Sequence, residues 1–171
     1  FNLLTAKPVH YVGNVDEAAA AGGNELPAKV AAMAAGQGAR HVVISAAIEA
    51  ELAGLEPGER AEYLRAIGLD EPGLDRVIRE GHDLLGLLTF LTAGPKEARA
   101  WTAHKGATAP QAAGVIHTDF ERGFIAAEVI AYDDYVQLNG EQGAKASGKM
   151  RGEGRDYVVQ DGDVCHFRFN V

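Results

Sequence analysis

The sequence is poor in cysteine: Cys165 is the only one in 171 residues, so no disulfide can form within the chain. A single thiol fits a reducing compartment, because small secreted domains use pairs of cysteines. The six histidines show no paired metal-ligand spacing, and zinc sites are built from such pairs. We therefore predict no metal site and no catalytic residue within these residues.

Long apolar runs are also absent. No stretch of 18 or more apolar residues occurs. The first residues also lack the pattern of a secretory signal, in which a charged stretch is followed by an apolar segment and a cleavage site of small residues. These features predict no membrane span and a cytoplasmic location, and we expect a monomer. The chain begins at Phe1 rather than Met, which leaves open a processed protein or a cut fragment.

Basic residues are in the minority, and the formal net charge is -8. This balance argues against the broad basic surface that nonspecific nucleic-acid binding requires. The deficit is uneven: residues 1–85 hold 7 basic and 13 acidic residues, and residues 86–171 hold 9 and 11. The second half is therefore the better candidate to meet a polyanion. A hydrophobic fraction of 47% excludes disorder and indicates a globular chain.

Residues 1–85 have the pattern of an α/β unit. Val9 to Gly13 predicts a short strand, residues 28–35 a helix, and residues 42–44 a strand that is covered on both faces. A strand, a helix and a second strand imply a parallel pair. Three further helices are predicted, at 48–54, 57–67 and 72–88.

Residues 86–171 change to short strands, which predicts a separate α+β domain with one or two short helices. The boundary is placed near Gly86, and Cys165 is expected on the core face of the last strand together with Phe167, Phe169 and Val171. The predicted strands are "LLTFLTA", "EARAWTA", "FIAAEVIAY", "DYVV" and "VCHFRFNV".

Polar residues follow both predicted strands of the first domain. "GNVDE" (13–17) ends the first strand, and Ser45-Ala46 ends the second. Ligands of open α/β sheets bind outside the carboxyl ends of the strands, and an amide with a carboxylate can read the edge of a purine. The alternative is that Asn14 and Glu17 only begin a turn and a helix, where both residue types are favoured.

A phosphate-binding motif is missing: Gly-x-x-x-x-Gly-Lys-Ser/Thr occurs nowhere in the sequence. The phosphate cradle, its lysine and the hydroxyl that holds magnesium are therefore absent. We predict that this chain alone does not hydrolyse a nucleoside triphosphate.

Basic and aromatic residues of the second half could form a surface for RNA, in which aromatic rings stack on bases. Solvated charge is the alternative interpretation. His117 and Asp119 are interpreted as a pair that stabilises a turn. The candidate RNA contacts are Lys96, Arg99, Trp101, Lys105, Arg122, Lys149 and Arg151, with Tyr132 and Arg155 beside them.

Four segments of the sequence carry a family resemblance: "LLTAKPVHYVGNVDE", "TAGPKEARAWT", "GATAPQAAGVIHTDFERGFIAAEVIAYDD" and "DYVVQDGDVCHFRFNV". Together they resemble the C-terminal half of the YchF family of Obg-like ATPases, and the similarity covers nearly the whole chain. The resemblance implies the end of a P-loop NTPase domain (residues 1–85) followed by a TGS domain of ubiquitin-like β-grasp fold (residues 86–171).

The resemblance also assigns roles at the strand ends. GTPases of this class use Asn-Lys-x-Asp, in which the Asp binds guanine. Here Val15 replaces the Lys and Glu17 the Asp, a variant that in the family goes with ATP being preferred over GTP. Asn14 would contact the purine edge, and Val15 would pack on the base or bond to it through its backbone. Ser45 and Ala46 match the loop that lines the base, although Ala47 is shorter than the family's usual residue.

The resemblance implies ATP or GTP and magnesium as cofactors of a longer parent protein, with neither bound tightly by this chain alone. It also favours contact with the ribosome or RNA through the TGS domain. Two alternatives stay open, both without catalysis: a module that binds RNA, and a module that binds a protein partner, which the acidic balance allows.

Overall fold

The computed structural model of the chain describes residues 3–21 and 25–170. The chain divides into two compact units, Phe1–Leu85 and Gly86–Val171. Both units mix helices with strands, so the predicted α/β and α+β classes agree with the structure at that level. None of the helices in the described ranges is long and apolar enough to cross a membrane.

The first unit contains a parallel pair of strands with helices around it. β1 and β2 pair in parallel, with His10 opposite Arg40 and Asn14 opposite Ile44. A small core of Ile48, Leu52 and Leu64 joins two of the helices. The elements are β1 (His10–Asn14), α1 (Glu17–Ala20), α2 (Glu25–Gly36), β2 (Arg40–Ile44), α3 (Ala46–Ala53), α4 (Pro57–Ala66) and α5 (Gly73–Leu84).

The sequence pattern overestimates both the length and the burial of α5. The predicted helix 72–88 ends at Leu84, because Gly86 adopts a positive φ of 63° and residue 87 begins the next strand. Three apolar residues of the predicted helix, Leu74, Ile78 and Leu85, are 54%, 52% and 60% exposed. A two-stranded sheet is too narrow to cover them.

The second unit is a five-stranded sheet of order β4-β3-β7-β5-β6. β3 and β7 are parallel neighbours in its centre, and the other pairs are antiparallel. The elements are β3 (Leu87–Ala93), β4 (Ala98–His104), α6 (Ala109–Ile116), α7 (Thr118–Arg122), β5 (Phe124–Ala131), α8 (Tyr132–Gln137), α9 (Glu141–Ala146), β6 (Arg151–Glu153) and β7 (Asp163–Phe169).

The core of the second unit lies between this sheet and α6. Phe90 is fully buried, and its ring meets that of Phe167 edge-on at 5.9 Å, a favourable aromatic geometry. Cys165 is buried in the same cluster, as predicted, and burial raises the pKa of its thiol to about 12, so it remains a thiol. Val171 lies outside the described residues.

Two details of the second unit differ from the sequence-based expectation. The predicted strand "DYVV" is wrong, since residues 156–159 contribute only an isolated bridge from Val158 to Thr108. A short edge strand, β6, takes its place, and four short helices are present instead of one or two. Three residues that include Gly152 carry too little periodicity to predict a strand.

Candidate functional site

The two predicted polar segments meet at one edge of the parallel pair. β1 ends at Asn14 and β2 at Ile44, and these two residues are opposite each other in the register. The pairing continues one residue further, because the Val15 N–H donates to the Ile44 carbonyl at 2.9 Å. Residues 14–17 and 45–46 are therefore neighbours, at the strand ends where α/β sheets bind ligands.

Asn14 connects the two segments directly. Its side-chain Oδ1 accepts a hydrogen bond from the backbone N–H of Ala46 at 2.9 Å. An amide has one acceptor oxygen and one NH₂ group with two donors. This bond occupies the oxygen and fixes the orientation of the amide, so that exposed Asn14 presents its NH₂ group as the donor for a ligand.

Ser45 has an unusual environment for a hydroxyl. The residue is 3% exposed and stands at the N-cap of α3, where serine normally accepts a hydrogen bond from the first turn. Its side chain makes no such bond, and Oγ has no hydrogen-bond partner among the described residues. Buried polar atoms are almost always paired, so this Oγ, one residue before Ala46, is an exception among the described residues.

Asp16 and Glu17 have different local roles. Asp16 caps α1, accepting a hydrogen bond from the Ala19 N–H at 2.8 Å, and Glu17 is the first residue of that helix. The pKa of Tyr63 is raised to about 12, mainly by its hydrogen bond to Glu51, then by burial and by the charges of Glu51 and Glu17. The Glu17 carboxylate is thus close enough to influence Tyr63, and it remains exposed at the edge of the site.

Val15 can contribute less than expected. Its N–H is already bonded to Ile44, so a backbone contact with a ligand would have to use its carbonyl. Its side chain is half-buried and can pack against a planar ligand. Within the described residues, no group of three or more His, Cys, Asp or Glu residues could hold a metal ion.

The seven candidate RNA contacts do not form one surface. Arg99 and Trp101 lie on β4 and Arg151 on β6, which are the two opposite edges of the sheet. Four strand spacings of about 4.8 Å separate these edges by roughly 19 Å. Lys96 is in the turn before β4 and Lys149 lies two residues before β6, so each edge has a second cation. Lys105 follows β4, and Arg122 ends α7.

The β4 edge presents a preformed stack. The Arg99 guanidinium carbon lies 4.2 Å from the centroid of the Trp101 ring, and the Trp101 Nε1–H donates to Thr92 Oγ1 at 2.9 Å. Arg99 is exposed and has no carboxylate partner in the part of the chain that the structure describes. The positive charge and the flat face of its guanidinium are both available to a ligand.

The β6 edge is neutralised internally. Lys149 lies 3.3 Å from Asp134, and Arg151 lies 3.5 Å from Glu153 and 3.6 Å from the buried Asp163. These cations line an open cavity of about 610 Å³ together with four aspartates. The exposed ring of Tyr132 belongs to the same cavity. Arg155 is occupied by the Phe124 carbonyl at 3.1 Å.

His117 and Asp119 form the predicted turn. His117 Nδ1 accepts a hydrogen bond from the Asp119 N–H at 3.2 Å, which caps the short helix α7. The Asp119 carboxylate lies 3.5 Å from the same nitrogen. This is a local structural contact.

The chain is similar to proteins of one family over nearly its whole length. A family model described as "YchF-GTPase_C: Protein of unknown function (DUF933)" matches residues 87–170. Proteins named ribosome-binding ATPase YchF are 58% identical over 171 residues in Haemophilus influenzae and 54% identical over 172 residues in Bacillus subtilis, and these alignments cover 100% and 99% of this chain. Obg-like ATPase 1 of Rattus norvegicus is 44% identical over 99% of the chain.

The chain spans about half the length of these relatives: it covers 47% of the two bacterial proteins and 43% of the rat protein. Among solved structures, the Schizosaccharomyces pombe YchF GTPase superposes with a TM-score of 0.82 at 35% identity, over 97% of this chain and 44% of that one. A GTP-binding protein of Pyrococcus horikoshii has a TM-score of 0.65 at 22% identity, over 96% and 46% of the two chains, which supports the fold alone.

Proposed function

The chain belongs to the YchF family, and from this premise we propose that it is the C-terminal half of a ribosome-binding P-loop ATPase. In this proposal residues 1–85 supply the edge of the nucleotide pocket that reads the base. Residues 86–171 form a TGS domain that contacts RNA of the ribosome. The parent protein would act in the cytoplasm, where ribosomes are.

The observation that carries the nucleotide assignment is the arrangement of Asn14, Ser45 and Ala46. The hydrogen bond from Ala46 to Asn14 fixes the amide with its donors outward, and the residue before Ala46 is Ser45, whose hydroxyl is unpaired. A purine offers ring nitrogens and exocyclic groups that satisfy both. The orphaned atom is the kind of group that a planar, polar ligand would pair.

The preference for ATP rests on Glu17. The family resemblance places Glu17 where GTPases have the aspartate that binds guanine. A longer side chain, held in the first turn of α1, removes that two-point contact with guanine. When the wrong base binds, polar groups of the site stay unpaired. Such a site can favour the right base by a factor of roughly 10⁴.

The parallel pair of strands supports a larger parent domain. Parallel sheets are normally covered on both faces and contain more than two strands. Here Val12 in β1 is 48% exposed and Val9 just before it is 46% exposed. We assign the missing strands, the phosphate cradle and the groups that hold magnesium to the part of the parent outside this chain. Magnesium would there polarise the phosphates, while the residues of this chain orient the base.

The assignment of a TGS domain is supported by the order of the second sheet. Its first and last strands, β3 and β7, are parallel and central, and α6 packs across one face, as in β-grasp domains. Of its two basic edges, the β4 edge is the better RNA contact. Arg99 there is unneutralised and already stacked on an aromatic ring.

A second candidate function is a module that binds RNA without catalysis. The second unit has its own core and carries the Arg99–Trp101 stack independently of any nucleotide. Under this alternative, ribosome binding would persist when nucleotide binding is lost.

The test compares the full-length parent with this chain alone. ATP hydrolysis with magnesium is measured for both, and circular dichroism checks that the shorter chain is folded. We expect hydrolysis by the parent and none by the folded chain. Hydrolysis by the chain alone would contradict the proposal, and a parent that co-sediments with ribosomes but neither binds nor hydrolyses ATP would favour the binding module.

A further inference from the structure

A cavity of about 330 Å³ lies in the first unit, away from the residues assigned to the base. None of Asn14, Val15, Glu17, Ser45 and Ala46 lines it. Its walls come from β2, from α5 and from the segment that precedes α5. The lining residues are His41, Val42, Val43, Glu71, Arg76, Arg79 and Glu80.

Both carboxylates of this cavity already have a cationic partner. Glu71 accepts a hydrogen bond from Arg79, and Glu80 accepts one from Arg40 at 2.8 Å. Arg76, Arg79 and Glu80 are three and four residues apart on α5, so they project from one face of the helix. Since Glu80 bonds to Arg40, it does not neutralise Arg76.

Arg76 is the charge that remains. Its Nε is buried and has no hydrogen-bond partner, and no carboxylate lies within ion-pair distance of it, among the residues that the structure describes. Leaving a buried donor of a charged group unpaired is costly, so such groups are normally satisfied. The guanidinium fork offers parallel N–H donors that match two oxygens of one anion.

We propose that this cavity is a binding site for a single phosphate group, held by Arg76 and His41. Arg76, which lines the cavity, would donate from its two terminal nitrogens to two phosphate oxygens. The exposed imidazole of His41, which also lines the cavity, can donate to a third. Arg76, which has no ion-pair partner among the described residues, suits one phosphate group rather than a polyphosphate. The group could belong to a small phosphorylated molecule or to the backbone of RNA.

The experiment titrates the full-length parent with inorganic phosphate by isothermal calorimetry, with the nucleotide pocket saturated by a non-hydrolysable ATP analogue. Arg76→Gln should weaken phosphate binding at least about tenfold, because it removes charge-assisted hydrogen bonds. Arg65→Gln is the matched control. Arg65 is an exposed arginine of α4 whose Nε donates to the Ala61 carbonyl at 3.0 Å, and it does not line the cavity.

A second arm identifies the source of the phosphate. If RNA supplies it, Arg76→Gln also weakens binding of a single-stranded RNA oligonucleotide, whereas a small-molecule site leaves that affinity unchanged. Both results support the site. It is overturned if phosphate does not saturate the wild-type protein, or if Arg65→Gln weakens binding as much as Arg76→Gln. Affinity for the ATP analogue should be equal in all three proteins, so failure here is distinguishable from failure of the proposed function.

Discussion

The side-chain oxygen of Asn14 accepts a hydrogen bond from the backbone N–H of Ala46 at 2.9 Å. This bond joins residues that are 32 positions apart in the chain. The bond exists because β1 and β2 are parallel and in register at Asn14 and Ile44. It links the last residue of β1 to the first residue of α3, the helix that follows β2. The proposed base-reading edge depends on this link.

Replacing Asn14 with alanine should therefore affect both binding and stability. In the full-length parent, Asn14→Ala should weaken ATP binding by about 10- to 100-fold, because the outward amide donors are lost. The free energy of unfolding should fall by about 1 kcal/mol through loss of the bond to Ala46. Calorimetric titration and urea unfolding measure these two effects.

Gln37→Ala is a matched control for Asn14→Ala. It removes another amide of the first unit, one that accepts a hydrogen bond from the Tyr11 hydroxyl at 2.7 Å. Gln37 lies between α2 and β2, before the beginning of β2 rather than after its end. ATP affinity should not change in this variant. Equal losses of affinity in the two variants would show that Asn14 acts only through the stability of the unit.

Ser45→Ala should have opposite effects on stability and binding. Without nucleotide, removing a buried and unpaired hydroxyl should leave the free energy of unfolding unchanged or raise it by about 1 kcal/mol. ATP affinity of the parent should nevertheless fall, since the ligand loses a partner. Thermal unfolding with and without ATP measures both. If the substitution destabilises the nucleotide-free protein, Oγ has a partner within the fold and the assignment fails.

The two basic edges of the second unit should respond differently to charge removal. Arg99→Gln should weaken ribosome co-sedimentation of the parent and lower the dependence of RNA affinity on salt, because its charge is free to meet phosphate. Lys149→Gln should have little effect, since Asp134 already neutralises that lysine. A larger effect from Lys149→Gln would move the RNA contact to the β6 edge.

Tyr157 should make the second unit sensitive to alkaline pH. Its hydroxyl donates to the buried Asp163 at 2.7 Å, and burial followed by this bond raises its pKa to about 12. In the unfolded chain a tyrosine has a pKa of about 10, so the unfolded state releases this proton at lower pH than the folded state. The stability from this group is complete below about pH 10 and is lost as the pH rises through about 12.

Urea unfolding of the wild type and of Tyr157→Phe, from pH 9 to 12, measures this contribution. The variant should be less stable at pH 9 and should lose less stability on going to pH 12. Cys165 also has a pKa raised to about 12, but it is present in both proteins and cancels in the comparison. Parallel pH profiles would show that Tyr157 does not contribute.

Elements with strong periodicity could be predicted from the sequence, and those defined by tertiary contacts could not. Alternation in "VCHFRFNV" correctly placed Cys165 and Phe167 in the core, but the prediction is wrong for Phe169, which is 37% exposed. "GNVDE" marked the end of β1. β6 was missed because three residues carry no pattern, and "DYVV" is apolar yet forms no strand. Apolar residues there pack as a loop, which local propensity does not reveal.

The candidate site, too, could be predicted from the sequence only in part. Sequence spacing and family resemblance indicated which residues follow the two strands, but not that Asn14 bonds to Ala46 or that Ser45 Oγ is unpaired. Likewise, seven basic and aromatic residues suggested one RNA surface. Strand order then separated them to opposite edges, which depends on pairing between segments distant in sequence.

The central claim is tested most directly by the affinities of the full-length parent for ATP and GTP, measured side by side with magnesium. ATP should bind at least about tenfold more tightly, because Glu17 does not provide the two-point contact that guanine requires. Glu17→Asp, which restores the residue found in GTPases, should narrow or reverse that preference. Equal affinities in the wild type, or a preference for GTP, would contradict the assignment of Asn14 and Glu17 to the base.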